Sequence, residues 1–335
     1  MTPALGLSIA GSPREPVARI VQLVRAAEER GVDAVWVLDS QLLYKDAYIV
    51  LGLLAASTSR VKLGPGVTNV VTRHQTVVAN AMSTLATIAP GRINVGLGAG
   101  DSSVFPVGLQ PLRVAACREA ILRLRQLLGG EAVDEGGGSG GPVRLSVTPP
   151  KSPPIFLAAS QPRMLQLAGE VADGVIVVGP ADPDVVRMQL ACVDRGRLAA
   201  GRQPADVIKD VWVTISIGPE EQTVGDVKSF AATLGRWFTT WRDLPASLEP
   251  FRAEMETVTR EYDFMAHLSV HAEHARLLGD DFAHAVAVAG PPEVCLARMK
   301  AIAAAGPDRM TLSLLPGGRE RRLAELLDLW AEVGS

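Results

Sequence analysis

Cysteine and histidine are scarce in this chain, and each shortage excludes a class of site. The three cysteines, Cys117, Cys192 and Cys295, lie far apart and form no CxxC pair. The sequence therefore shows neither a disulfide framework nor a thiolate metal site. Because free cysteine is commonly buried, we predict three buried thiols, each on a helix.

An excess of positive charge and long apolar runs are also missing. The formal net charge is -3, and the Lys and Arg residues are scattered, so we expect no binding to nucleic acid or to an anionic membrane surface. No apolar run approaches the length of a membrane span, and residues 1–10 lack the pattern of a signal peptide. We therefore expect a cytoplasmic protein.

Short β-branched runs alternate with amphipathic segments along the chain, which is typical of parallel strands joined by crossover helices. We predict eight strands, at 5–9, 34–38, 61–67, 93–98, 154–159, 174–178, 211–217 and 310–314. Helices should begin near residues 16, 46, 75, 111, 162, 183, 224 and 291, with a last helix over 320–333. Eight units, and a first βα turn without GxGxxG, favour a closed α/β (β/α)8 TIM barrel over a dinucleotide-binding fold.

We expect residues 1–335 to form a single domain with insertions after strands 4 and 7. A Gly-rich stretch covers residues 129–153 and is predicted to form a hairpin. A second, helical insertion covers residues 237–281. It follows the seventh strand, on the face where barrel sites form, so we expect it to serve as a lid or a subunit contact.

Barrel active sites are built from the loops that follow the strands. Here these loops are rich in glycine and small polar residues and poor in His, Cys and paired carboxylates, which favours a bound cofactor over acid/base hydrolysis. Backbone N–H groups and hydroxyls of residues 98–103 can face a polar ring or a phosphate. Ser160 and Gln161 precede a helix N-terminus that favours an anion, and Arg163 adds a charge.

Each of these features has a simpler alternative. The glycines of residues 96–100 can serve tight packing alone, and Ser160 can be a plain helix cap. His74 either reaches the site or is an ordinary residue at a helix N-terminus.

Two clusters in the second insertion are interpreted as structural. His267, His271 and His274 recur with helical spacing, and we interpret them as a solvated helix face because no HExxH pattern accompanies them. We therefore predict no metal site. Trp237 and Trp241 are assigned to the core or to an interface.

Three segments, read in order, carry a resemblance to a known family. They are VKLGPGVTN at 61–69, GR followed by GLGAGD at 91–101, and AASQPR with LAGEVADG at 158–174. The chain resembles the bacterial luciferase-like superfamily, and within it the branch of methylenetetrahydromethanopterin reductase and related enzymes that use the deazaflavin coenzyme F420. The resemblance extends almost from end to end.

The resemblance implies a cofactor site and a reaction. A cis peptide is expected between Gly66 and Val67, behind the deazaflavin ring, and the reaction is hydride transfer between the deazaflavin and a substrate carbon. The family's habit also implies a homodimer. The predicted cofactor-binding residues are Asp39, Gly66, Val67, Thr68, Asn69, Gly98, Ala99, Gly100, Asp101, Ser160, Gln161, Pro162, Arg163, Gly179 and Pro180.

Two replacements set the chain apart from this branch. Ser40 follows Asp39 where dehydrogenases of the branch have Asp-His, and Ser8 stands where several members have Glu. General acid/base groups contribute roughly 100- to 10,000-fold, so their loss argues against alcohol oxidation. We predict an F420H2-dependent reductase acting on an activated C=C or C=N bond of a small molecule or of a natural-product or peptide intermediate. Water, Ser8, Ser40 or Tyr44 would supply the proton.

Two alternatives stay open. An FMN-dependent luciferase-like monooxygenase would share the same barrel, so the fold does not discriminate it from a reductase. A non-catalytic cofactor-binding relative would bind cofactor and be inert towards hydride acceptors.

Overall fold

A computed structural model describes residues 2–134 and 141–334. Its strands are β1 Ala4–Ile9, β2 Ala34–Val37, β3 Lys62–Pro65, β4 Val95–Leu97, β5 Ile155–Ala159, β6 Gly174–Val178, β7 Ile208–Ile217, β8 Val288–Gly290 and β9 Arg309–Ser313. Its helices are α1 Val17–Glu29, α2 Ala47–Ser57, α3 Gln75–Ile88, α4 Val114–Leu128, α5 Pro162–Val171, α6 Pro183–Ala199, α7 Glu220–Phe238, α8 Arg252–Arg260, α9 Asp280–Val286, α10 Pro292–Ala303 and α11 Arg319–Ala331.

The strands form a parallel, nearly closed barrel, which confirms the predicted (β/α)8 TIM-barrel fold. The hydrogen-bonded order is β3-β2-β1-β9-β7-β6-β5-β4. Two isolated bridges, Leu63–Ile93 and Thr68–Leu97, join the ends of this path. The strands are buried along nearly their whole length, as expected for parallel strands covered by crossover helices. The carboxyl ends of all eight strands therefore meet on one face.

The element boundaries differ from the prediction in a few places. β8 was missed, because a three-residue strand beside a Gly-Pro turn gives little periodic signal; it pairs with the carboxyl end of β7. α7 begins at Glu220, directly after Pro219, and not near residue 224. α5, α6 and α10 carry proline in the first turn, where its missing N–H costs no hydrogen bond.

A buried ion network lies towards the amino-terminal end of the barrel. Asp210, at the start of β7, accepts hydrogen bonds from Trp36 Nε1 at 3.0 Å, Arg309 at 3.2 Å and Thr311 Oγ1 at 2.7 Å. Burying a charge is costly unless it is paired and hydrogen-bonded, and here the pairing is complete. This network joins β2, β7 and β9 inside the barrel.

The second insertion is only partly helical. Between α7 and α9 the structure has α8 and three short 3₁₀ turns, at Glu249–Phe251, Phe264–Ala266 and Glu273–Leu277. The predicted helical face of His267, His271 and His274 is therefore wrong, and His267 and His274 are buried instead of solvated. The insertion shares one apolar cluster with the barrel interior, from Trp36 and Trp212 to Phe282.

The three cysteines and the first insertion were also predicted from the sequence. Cys117, Cys192 and Cys295 are buried in α4, α6 and α10, as predicted. In the first insertion, Val133 and Val143 exchange backbone hydrogen bonds of 2.8 and 2.9 Å, as in a hairpin. Residues 135–140 of that predicted hairpin lie outside the described residues.

None of the helices in the described residues combines the length and apolar character needed to cross a membrane. Within residues 2–134 and 141–334, no group of three or more His, Cys, Asp or Glu side chains is arranged to hold a metal ion.

Candidate active site

A cavity of about 560 Å³ opens at the carboxyl ends of the barrel strands, where barrel sites form. Its wall has two parts: the loops that follow the strands, and side chains from α7 and the second insertion. The structure brings together on this wall fourteen of the predicted residues: Ser40, Tyr44, Asp39, Gly66, Val67, Thr68, Asn69, Gly98, Ala99, Gly100, Asp101, Ser160, Gln161 and Arg163. Ser8, Pro162, Gly179 and Pro180 are not among the described lining residues.

The glycines of β3 and β4 allow the two strands to approach closely. A Cβ on Gly64 would lie 2.5 Å from the Asn94 carbonyl oxygen, and one on Gly96 would lie 2.2 Å from the Pro65 carbonyl oxygen. The packing interpretation is therefore confirmed for Gly96. The cis peptide between Gly66 and Val67 is also confirmed.

Asp39 is fixed by a cation and is not a free carboxylate. Arg73 donates to Asp39 at 3.1 Å and to Asp46 at 3.2 Å, and its guanidinium lies 4.5 Å from the centre of the Tyr48 ring. Tyr48 in turn donates to Thr68 Oγ1 at 2.7 Å. Since Thr68 accepts this bond, its own hydroxyl hydrogen stays available to an acceptor in the cavity.

A row of small polar side chains follows β2, β3 and β4. The hydroxyls of Ser40 and Ser102 are 2.6 Å apart, and Asn69 Nδ2 donates to Ser103 Oγ at 3.0 Å. The Asn69 side-chain oxygen accepts from the backbone of its own loop, at Thr72 and its neighbour. These hydroxyls and the amide thus cross-link three strand ends into one polar surface.

The N-terminus of α5 presents donors to the mouth of the cavity. Gln161 is the N-cap residue and makes no side-chain capping bond, so the alternative that Ser160 only caps the helix is wrong. Pro162 occupies the first turn. Free N–H groups at a helix N-terminus favour an anion, and the exposed Arg163 adds positive charge.

Gly179 lies behind this loop and not on the cavity wall. A Cβ there would meet Gln189 Oε1 at 2.4 Å. Gln189 Nε2 donates to the Ser160 carbonyl at 3.1 Å and to the Val178 carbonyl at 3.3 Å. Gly179 therefore makes room for a buried amide that holds the ends of β5 and β6 together.

Asp101 joins the two parts of the wall. Arg236 of α7 donates to both carboxylate oxygens at 2.5 Å, and Trp237 Nε1 donates to one of them at 3.2 Å. Burial raises the pKa of Asp101, and the guanidinium of Arg236 opposes that shift. The carboxylate of Asp101, a predicted cofactor-binding residue, is therefore engaged in a contact between the β4 loop and α7.

His267 is the ionisable side chain that the insertion places on the described wall, beside the polar Thr240. Its Nδ1 lies 2.5 Å from the Tyr262 hydroxyl, which lies 2.7 Å from Thr233 Oγ1. Burial, together with the charge of Arg236, lowers the pKa of His267 to about 3. His267 is therefore neutral at physiological pH, and the next residue, Leu268, has a left-handed backbone with φ of 57°.

Several side chains of the site were missed or assigned elsewhere. His74 is an exposed N-cap of α3, so its simpler alternative is confirmed. Trp241 belongs to the core as predicted, whereas Trp237 lines the cavity together with Trp212. Arg236 gave no signal in the sequence, because only packing reveals which face of α7 meets the cavity.

Comparison with known proteins shows where this chain belongs. A family model described as "Luciferase-like monooxygenase" matches residues 3–309. The chain is 36% identical over 213 residues to the 5,10-methylenetetrahydromethanopterin reductase of Methanolobus tindarius, covering 61% of this chain and 63% of that relative. It is 32% identical over 250 residues to the F420-dependent hydroxymycolic acid dehydrogenase of Mycobacterium tuberculosis, covering 70% and 68%.

Solved structures agree on the fold. The coenzyme F420-dependent tetrahydromethanopterin reductase of Methanopyrus kandleri superposes with a TM-score of 0.77 at 22% identity, covering 98% of each chain. An F420-dependent secondary alcohol dehydrogenase, solved with an F420-acetone adduct, superposes with a TM-score of 0.80 at 20% identity, covering 99% of each chain. With its barrel, its cavity and a family match over most of its length, this chain belongs to the luciferase-like family.

Proposed function

We propose that this protein is an F420H2-dependent reductase that delivers a hydride to an activated C=C or C=N bond of a small molecule. The observation that supports the proposal is the cavity. Its strand-end wall, formed by the loops that follow the strands, offers hydroxyls, an amide and backbone N–H groups. None of the described lining residues there has a free carboxylate. The F420-dependent names among the relatives support the choice of cofactor.

The donor set fits a deazaflavin cofactor. The small groups of the β4 loop, with Ser102 and Ser103, suit the polar edge of a ring, and Val67 and Trp212 offer an apolar surface. The N-terminus of α5 with Arg163 suits an anionic group at the cavity mouth. When bound, F420H2 would supply the hydride; the protein supplies placement and polarity.

The remaining task of the protein is to manage one proton. Ser40 and Tyr44 line the cavity, and Ser40 is held by its bond to Ser102. Burial raises the pKa of Tyr44, so its hydroxyl keeps its proton throughout the physiological range. We propose Ser40, Tyr44 or a water held by them as the proton source, because reduction of an activated double bond needs less acid/base help than alcohol oxidation.

A binding titration tests the proposal. The purified protein is titrated with oxidised and reduced F420 and with FMN, and binding is followed by fluorescence. We expect micromolar or tighter binding of F420 and none of FMN. In the variant Arg163→Gln the affinity for F420 should fall by about tenfold, whereas Arg321→Gln, on the exposed face of α11, should bind as the wild type does. Failure to bind F420 would reject the proposal.

The FMN-dependent monooxygenase is the second candidate function. The description of the matching family model favours it, and the two activities share the barrel. Tight binding of FMN together with oxygen consumption that depends on reduced FMN would establish it in place of the reductase.

We also propose a homodimer. α2 and α3 are neighbours on the barrel surface, and they expose Ile49, Leu53 and Val77 at 68%, 46% and 56% of their surface. Adjacent exposed apolar side chains indicate a contact surface. Sedimentation equilibrium should give twice the monomer mass, and Ile49→Glu with Leu53→Glu should give the monomer.

A further inference from the structure

The charged side chains on the cavity wall largely cancel one another. Asp39 is paired with Arg73, and Asp101 is paired with Arg236. Among the described lining residues, only Arg163 carries a charge without an ion-pair partner, and it is exposed at the mouth. An ionised substrate group inside the cavity would therefore lose its hydration without gaining a counter-charge, which is costly. The inner cavity favours a neutral ligand.

The part of the wall contributed by α7 and the insertion carries apolar side chains beside the polar Thr233, Arg236, Thr240 and His267. Phe230, Trp237 and Leu268 line it, and Phe105 from the β4 loop extends it. Such surfaces bury the apolar body of a ligand, while a few polar groups fix its orientation. His267 is the ionisable side chain of the insertion on this wall, and it is held neutral.

The hydrogen-bond network assigns the proton of His267 to Nε2. Arg236 lies against the Tyr262 ring, 4.9 Å from its centre, and the Tyr262 hydroxyl oxygen lies 2.7 Å from Thr233 Oγ1. The Tyr262 hydroxyl lies 2.5 Å from His267 Nδ1. A phenol O–H is a stronger donor than a neutral imidazole N–H, and the imidazole nitrogen is the stronger acceptor, so Tyr262 is assigned as the donor of this bond. A neutral imidazole that accepts at Nδ1 carries its hydrogen on Nε2.

Nε2 is the edge of the ring left for the cavity. Tyr262, on the Nδ1 side, is not among the described lining residues, whereas His267 is. Nε2 of His267 makes no hydrogen bond with a described residue, yet it is not enclosed, unlike Nε2 of the neighbouring His274. Leu268, the adjoining residue, has a left-handed backbone that is strained for a non-glycine residue, and such strain is typical of functional positions.

From this geometry we infer that the substrate is a neutral molecule with an apolar body, and that His267 Nε2 donates a hydrogen bond to its carbonyl or imine acceptor. The inference rests on the proposed function and adds its substrate class. A donor at this atom would also polarise the group conjugated to the double bond. The insertion thus supplies specificity, in place of the Glu and the His that this chain lacks in β1 and after β2.

A pair of probes of the same size tests the inference without knowledge of the natural substrate. 1-Tetralone is a neutral aryl ketone, and 1-naphthoate is a carboxylate of similar shape. Binding is followed by quenching of the fluorescence of Trp212 and Trp237, with and without F420. We expect 1-tetralone to bind at least about tenfold more tightly than 1-naphthoate, given the cost of burying an unpaired charge.

Two variants isolate the Nε2 contact. Asn in place of His267 keeps an acceptor for Tyr262 near the position of Nδ1 but has no group at the position of Nε2. His267→Asn should weaken 1-tetralone by about tenfold, with F420 affinity and the urea midpoint at pH 7.5 close to wild type. His271→Asn, on an exposed residue of the same segment, should bind all ligands as the wild type does.

The outcomes separate this inference from the proposed function. If 1-naphthoate binds as well as 1-tetralone, if 1-tetralone does not bind, or if His267→Asn retains it, the inference is overturned even when F420 binds. If F420 does not bind but the ketone behaves as expected, the proposed function fails and the ligand class stands.

Discussion

The two parts of the cavity wall are built on different physical principles. The strand-end wall uses backbone, glycine and small side chains, and its loops are cross-linked over distances of 2.6–3.1 Å, as with Ser40 and Ser102. The second part, the insertion wall, consists of side chains from α7 and the second insertion. It uses large side chains, including Trp237 and His267, and is anchored by the Arg236–Asp101 pair. The first suits one cofactor held in a fixed place, whereas the second can change with the substrate while the barrel stays the same.

The largest effect is expected from a single methyl group in the strand-end wall. In Gly96→Ala the new Cβ would lie 2.2 Å from the backbone oxygen of Pro65, which cannot move away as a side chain can. We expect a loss of roughly 4 kcal/mol in the free energy of unfolding and loss of F420 binding. Urea unfolding measures the first and fluorescence titration the second.

Gly52→Ala is the matched control for that variant. Gly52 lies in α2, and a Cβ there meets nothing within 4 Å. Alanine should therefore stabilise the helix by about 0.5–1 kcal/mol. If Gly96→Ala unfolds at the same urea concentration as the wild type, the two strands are not packed as closely as described.

The next effect concerns the contact that joins the two walls. In Arg236→Met, Asp101 becomes a buried carboxylate without its cation, which should cost about 3 kcal/mol. The loss should appear in urea unfolding and as faster hydrogen exchange in residues 252–277. The double variant with Asp101→Asn should recover part of it, because no buried charge is then left.

Arg321→Met serves as the control for the ion pair. Arg321 bonds Glu325 on the exposed face of α11, and such surface pairs contribute less than about 1 kcal/mol. Equal costs for Arg236→Met and Arg321→Met would show that Asp101 and Arg236 do not hold the insertion to the barrel.

The strand-end wall could be predicted from the sequence, and the insertion wall could not. Residues such as Thr68 and Gly100 follow a strand directly, so the register of a parallel barrel places them on one face before any packing is known. His267 lies in a segment without regular periodicity, and only its contacts with Tyr262 and Arg236 reveal that it is buried. Helical spacing suggested a solvated face there, because spacing carries no information about 3₁₀ turns.

The fold shows the same division. The eight barrel strands were predicted because each lies in a short, largely apolar run that alternates with a helical segment. β8 was missed because its three residues gain their stability from pairing with β7 and not from their own sequence.

His267 in the insertion wall should make the free energy of unfolding depend on pH. The pKa of His267 is lowered to about 3 in the folded protein, against about 6.5 for an unfolded chain. Between these values the unfolded state binds a proton that the native state does not, so the free energy of unfolding falls as the pH falls. We expect this one group to contribute a loss of about 1 kcal/mol between pH 7 and pH 5.5.

His267→Asn removes the titrating group, so its stability should fall less over the same interval. Urea unfolding of both proteins at several pH values gives the difference directly, since the other carboxylates and histidines are common to the two. Parallel curves would mean that His267 takes up its proton in the folded state and is not the neutral donor inferred above.

The smallest expected effect is on turnover, and it identifies the group that supplies the proton. Ser8 is buried and donates to Ser313 Oγ at 3.2 Å, away from the described lining, so Ser8→Ala should leave F420H2 oxidation within about twofold. Ser40 lines the cavity, and Ser40→Ala should lower turnover by up to about tenfold. Unchanged turnover in the double variant would remove both serines from the mechanism. Tyr44→Phe would then decide between that hydroxyl and water, since a loss of turnover would assign the proton to Tyr44, which also lines the cavity.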